Sequence, residues 1–138
     1  MKARAATPDE IGWIASRTGY AFTAGARAIA AVDSAGEIRG MVAFDAWTES
    51  GCQCHVALDA PIAARTLRAA FFEYLGQVGR SLALGLVPAH RARSVALAKR
   101  MGFVEKCRIA DGWAAGDDLL ILELRLPAGA EIERRKAA

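Results

Sequence analysis

The chain has 138 residues, 54% hydrophobic and 24% charged, and its 18 basic against 15 acidic side chains leave a net charge of +3. This composition excludes a disordered or fibrous chain, and the length suits one domain able to bury roughly 68% of the surface its unfolded form exposes. The aliphatic runs are too short to cross a bilayer, and the basic residues are scattered instead of forming a stripe interleaved with aromatics, so neither a membrane nor a nucleic-acid partner is expected.

The N-terminal residues carry Lys2 and Arg4 without an apolar stretch of signal-peptide length, which points to the cytoplasm. Three cysteines, Cys52, Cys54 and Cys107, are an odd number in a chain without an export signal, so free thiols are expected. Thr7-Pro8-Asp9-Glu10 combines a capping residue, a proline at the first helical position and an acid three residues after the cap. A helix is therefore predicted to begin there, with Ile11, Ile14 and Ala15 apolar and Gly19 as its stop.

Residues 26–33 and 37–47 read as two strands joined by Ser34-Ala35-Gly36, an antiparallel hairpin. A third strand spans 52–58. Pro61 opens the longest helical pattern, in which Ala63, Leu67, Ala70, Phe71, Tyr74 and Val78 recur at three- and four-residue spacing up to Gly79. The nearly unbroken apolar run 81–87 reads as a central strand, and strand, helix, strand implies a parallel pair with a right-handed crossover. A second helix is predicted over 90–101, with Ser94, Leu97, Ala98 and Met101 inward and Gly102 as its stop. Strands over 103–110 and 118–126 complete the order, Pro127 ends the fold, and 128–138 reads as a charged tail on a single domain of residues 1–127.

This order, over residues 7–126, resembles the GNAT acyltransferase fold: an α/β (α+β) architecture with a mixed, mostly antiparallel sheet, helices on both faces and a central parallel strand pair. The sharper likeness lies in residues 85–103, similar to the family's late motif, where a strand leads into a helix. Ser94, Leu97, Gly102 and Phe103 fall on matching positions. Arg91 stands where an Asn is usual, and Ala98 stands where many members carry a tyrosine that protonates the departing thiolate. A tyrosine acid at that position is excluded.

The resemblance implies an acyl-CoA-dependent N-acyltransferase with acetyl-CoA as co-substrate and a small-molecule or peptide amine as acceptor. The family's Gly-rich pyrophosphate loop corresponds to residues 58–65, which contain no glycine. Asp59 adds a competing carboxylate and Pro61 removes a donor, while Ile62, Ala63 and Ala64 are expected to offer free N–H groups and Arg65 positive charge. Backbone N–H groups near Val56, Ala57 and Leu58 are the implied donors to the thioester oxygen, and Arg91 and Ser94 lie where the cofactor passes.

His55 is the candidate for relaying a proton from the amine, being on the third strand and able to change charge near neutral pH; the competing reading is a polar residue on an exposed or hydrogen-bonded face. Asp45 and Glu73 are weaker alternatives for that role and read rather as solvated surface charges. Cys52 and Cys54 share a strand face that His55 does not, which disfavours a metal site, and Cys107 reads as a packed strand cysteine. Tyr20, Phe22, Trp47 and Trp113 are candidates for lining an acceptor pocket. The alternative from another class is a catalytically inactive GNAT-fold binding or assembly module, for which the glycine-free loop, Asp59, Ala98 and an outward-facing Phe72 speak. A homodimer is compatible with either.

Overall fold

The computed structural model describes residues 1–126, and the tail expected at 128–138, with Pro127, lies outside the described residues. Seven strands form one sheet: β1 (Lys2–Ala5), β2 (Arg27–Val32), β3 (Ile38–Asp45), β4 (Gly51–Leu58), β5 (Leu82–Pro88), β6 (Val104–Ala114) and β7 (Asp117–Arg125). Their spatial order is β1-β2-β3-β4-β5-β7-β6, and every neighbouring pair is antiparallel except β4 and β5. Three α-helices accompany the sheet among the described residues: α1 (Ile11–Thr18), α2 (Ala63–Gln77) and α3 (Ala92–Met101).

The helices cover the two faces. Ile14 of α1 is fully buried against Ala28, Ala30, Met41 and Ala43 on one face. On the other, α2 presents Ala63, Leu67, Phe71 and Leu75, spaced four apart along one stripe, to Val42, Phe44, Cys52 and Cys54. Burying each such Leu or Phe contributes about 1.5–3 kcal/mol, so this stripe fixes α2 as the crossover between the parallel strands. Close approach is built in at Gly40, where an added Cβ would sit 2.8 Å from the Ala63 Cβ.

The helix ends follow the sequence. Gly19 and Gly102 take positive φ at 72° and 109° and terminate α1 and α3. The capping signal at Thr7 instead starts a single 3-10 turn, Pro8–Glu10, that leads into α1. Glu10 accepts from the Thr7 N–H and from both outer nitrogens of Arg4; the Arg4 pair above all, then Thr7, pulls its carboxyl down to about 2. That pairing ties β1, a strand the sequence did not announce, to the start of α1.

Three further expectations are corrected. Phe72 is half-buried on the core and meets Phe71 edge-on at 5.7 Å, because the wide core of α2 reaches past its main stripe. Cys107 is exposed, since β6 is an edge strand all of whose residues are exposed. Asp45 is 1% exposed, having found a polar partner 22 residues away.

Candidate active site

β4 and β5 pair only where Gly51, Cys52 and Gln53 meet Leu82, Ala83 and Leu84. Beyond that point each strand keeps its outer neighbour: β4 continues beside β3 to Leu58↔Gly40, and β5 continues beside β7 to Pro88↔Leu119. Antiparallel pairing is slightly the more stable per residue, and both strands follow it away from each other. Between them opens a cleft of about 440 Å³, within the usual range for a small-molecule site.

The cleft passes through the sheet. Ser94, Leu97 and Ala98 of α3 line it on the α2 face, with Met101 and Phe103 behind them in that core. His55, with Thr18, Gly19 and Tyr20 at the end of α1, lines it on the opposite face. Among the described residues the inner edge of β4 has no ladder partner on the β5 side past Gln53, so alternate N–H groups of residues 54–58 have no strand partner there.

Among the sequence candidates, His55, Val56, Arg91 and Ser94 are brought together around the cleft. Leu58 packs on the α2 core and Ala57 on the α1 side, leaving only their backbone as a contribution. Ile62, Ala63, Ala64 and Arg65 stand apart from the lining. The expectation of free N–H groups at Ala63 and Ala64 is corrected: they donate to the Ala60 and Pro61 carbonyls at 3.0 and 3.1 Å, because the chain closes tight turns before α2 begins. Ile62 is exposed. Asp59 is held by Arg17 through two hydrogen bonds of 3.0 and 2.8 Å, which lowers its pKa and balances its charge beside the helix start.

His55 is half-buried, and its Nε2 is sealed from solvent without a hydrogen-bond partner among the described residues. Tyr20 stacks on its ring at 4.0 Å, and Phe22 meets it edge-on at 5.2 Å. An unpaired buried ring nitrogen costs about 1–3 kcal/mol. Burial lowers the His55 pKa, opposed by the Asp45 carboxylate, so the imidazole is neutral at pH 7 and competent to accept a proton.

Asp45, a weaker alternative to His55 in the sequence, is buried instead of solvated. Its carboxylate accepts from the Thr23 N–H at 2.8 Å and the Thr23 hydroxyl at 2.6 Å. Burial opposes its ionisation, but these bonds outweigh that and hold its pKa below the usual value. The pair anchors the segment that carries Tyr20 and Phe22 over His55. Of the other aromatic candidates, Trp113 lines the cleft and stacks with Arg91, whose guanidinium carbon lies 5.6 Å from the ring centre. Trp47 packs on the core instead. Burial pushes the Cys52 thiol up to about 11 and raises Cys54 well above its usual value, so neither is a nucleophile near neutral pH.

The His55 shift has a consequence for stability. Its folded imidazole binds a proton less readily than the unfolded one, whose value is 6.5, so as pH falls below about 6.5 the unfolded chain takes up the proton first. Chemical denaturation followed across pH 5 to 8 is expected to show stability falling on the acid side of that value, with a smaller fall in His55→Gln.

No protein-family model matches the chain, and no curated protein matches it. Solved structures do. Mutant forms of the spermidine/spermine N-acetyltransferase SpeG from Vibrio cholerae superpose with a TM-score of 0.73 at 14% identity, covering 97% of this chain and 98% of that one. A protein described as an acetyltransferase of the GNAT family from Desulfovibrio desulfuricans gives a TM-score of 0.71 at 19% identity, over 89% of this chain and 97% of that one. A dodecameric spermidine N-acetyltransferase from Vibrio cholerae gives 0.70 at 14%, over 90% and 92%. No helix among the described residues is long and apolar enough to cross a membrane. At these identities the likeness is one of architecture, and on it the chain has the GNAT acetyltransferase fold.

Proposed function

We propose that the chain is an acyl-CoA-dependent N-acyltransferase that moves an acetyl group from acetyl-CoA to a small-molecule or peptide amine in the cytoplasm. The observation that carries this reading is the open cleft through the sheet, with His55 on one face and the α3 wall of Ser94, Leu97 and Ala98 on the other. Two reactants entering from opposite faces meet there, and holding them in line is a large part of what such a reaction requires.

On this reading the pantetheine arm of acetyl-CoA lies between β4 and β5 along Val56, with Ser94 and Arg91 beside it. The unpaired β4 backbone N–H groups near Val56, Ala57 and Leu58 donate to the thioester oxygen as it gains charge. The amine nitrogen attacks the carbonyl carbon from the α1 face, the new C–N bond forms, and the C–S bond breaks. His55 takes the proton the nitrogen loses, and the thiolate acquires one from solvent because Ala98 carries no acid. The pyrophosphate has fewer donors than a glycine loop would give: the N–H of Ile62, the Arg65 side chain, and whatever Ala63 and Ala64 release by opening their turns.

Isothermal titration tests the reading. Saturable acetyl-CoA binding is expected within the ordinary substrate range, at or below about 1 mM. No heat and no thermal shift at that concentration would remove the enzyme and leave the fold. A second reading, an inactive binding or assembly module, is favoured by the engaged N–H groups of Ala63 and Ala64 and by the exposed β6 edge, where a second copy can add. It requires that no amine release thiol from acetyl-CoA.

A further inference from the structure

We infer that the acceptor is a monoamine carried on a flat, uncharged body, and that the cleft rejects polyamines. The inference rests on the acyl-transfer reading and deepens it.

A polyamine carries several positive charges at neutral pH, and taking them from water into a cleft demands carboxylates to pair them. Among the described residues that line the cleft, none is acidic, and the one with a formal charge at pH 7 is Arg91. The acids on the neighbouring strands and turns are engaged elsewhere, Asp118 with Arg108 among them. Asp45, opposite Gln53 in the sheet, accepts two bonds from Thr23. Asp59 is gripped by Arg17, Asp111 accepts from the Gly116 N–H, and Asp117 pairs with His90 at 2.9 Å. Arg91 beside Trp113 adds positive potential at the same cleft, which suits the anionic co-substrate and opposes a polycation.

What the α1 face offers instead is the Tyr20 ring, which lines the cleft and is backed by Phe22 from the α1-side core. Tyr20 lies at 4.0 Å on His55 and 4.7 Å from Phe22, and the segment that carries both is fixed by the buried Asp45–Thr23 pair. A flat apolar body gains contact area and ring stacking there without any charge to compensate. Its single amine is left on the side of the cleft that His55 lines.

The test measures thiol release from acetyl-CoA by the full chain at low salt, with 2-phenylethylamine and spermidine as probes, alongside acetyl-CoA binding and the melting temperature of the acetyl-CoA-bound chain with each amine. Phenylethylamine is expected to give kcat/KM at least about tenfold above spermidine. Gln53→Glu, which puts a carboxylate on the His55 face of the cleft, is expected to narrow that ratio by raising the spermidine rate. Equal or faster use of spermidine by the unaltered chain overturns the inference. So does a chain that binds acetyl-CoA yet neither acetylates nor is stabilised by either amine, an outcome that spares the acyl-CoA reading. Failure of acetyl-CoA itself to bind sinks that underlying reading, and this inference with it.

Discussion

Replacing His55 with alanine is expected to lower kcat about 10²-fold while leaving acetyl-CoA affinity nearly unchanged. The imidazole lies on the face opposite Ser94 and Ala98, so the co-substrate's wall stays intact while the proton acceptor is lost. The acid limb of the pH–rate profile should disappear with it. In the parent chain that limb lies below pH 6.5, because burial lowers the imidazole pKa from that value, and activity rises as the ring loses its proton. A His55→Ala chain with parental kcat and an unchanged profile would reduce His55 to a packing partner of Tyr20.

The largest effect on stability is expected at Phe71. Its ring is fully buried, stacked on Phe44 at 5.6 Å and touching Phe72 and Phe103 at 5.7 and 6.0 Å. Phe71→Ala removes the centre of this aromatic cluster and leaves a cavity, at a cost of about 3–5 kcal/mol. Against a total of about 5–15 kcal/mol for a domain, that loss brings the chain near its unfolding midpoint at moderate temperature. Phe103 also lines the cleft, so the damage extends to the site floor. Phe71→Met, which refills most of the volume with a flexible side chain, is expected to recover most of the stability in urea titrations.

Most of the architecture was legible because it is written in local periods. The four-residue spacing of Ala63, Leu67 and Phe71, the alternation of Val42 and Phe44, and the glycine stops at positions 19 and 102 each specify one element without reference to another. β1 was not legible: four exposed residues carry no hydrophobic pattern, and only pairing with β2 makes them a strand. The far half of β6 was hidden by a register shift between Ile109 and Ala114 and by Asp111 at a φ of 55°, which look like loop chemistry in sequence.

The site was legible in part, for a related reason. The parallel pair follows from strand, helix, strand, and Ser94, Leu97 and His55 sit on predictable faces. The opening between the strands depends on how far β4 and β5 stay in register, which no local pattern encodes. Asp45 looked like a surface charge because its partner, Thr23, lies across the fold, and the turns that engage the Ala63 and Ala64 N–H groups are set by backbone geometry ahead of α2.

Amide chemical-shift mapping of the labelled chain during titration with acetyl-CoA tests the account most directly. The largest changes should fall on residues 53–58, 85–87 and 94–98, on both strands that bound the cleft and on α3. Saturating shifts confined to other surfaces, with those walls unmoved, would contradict it.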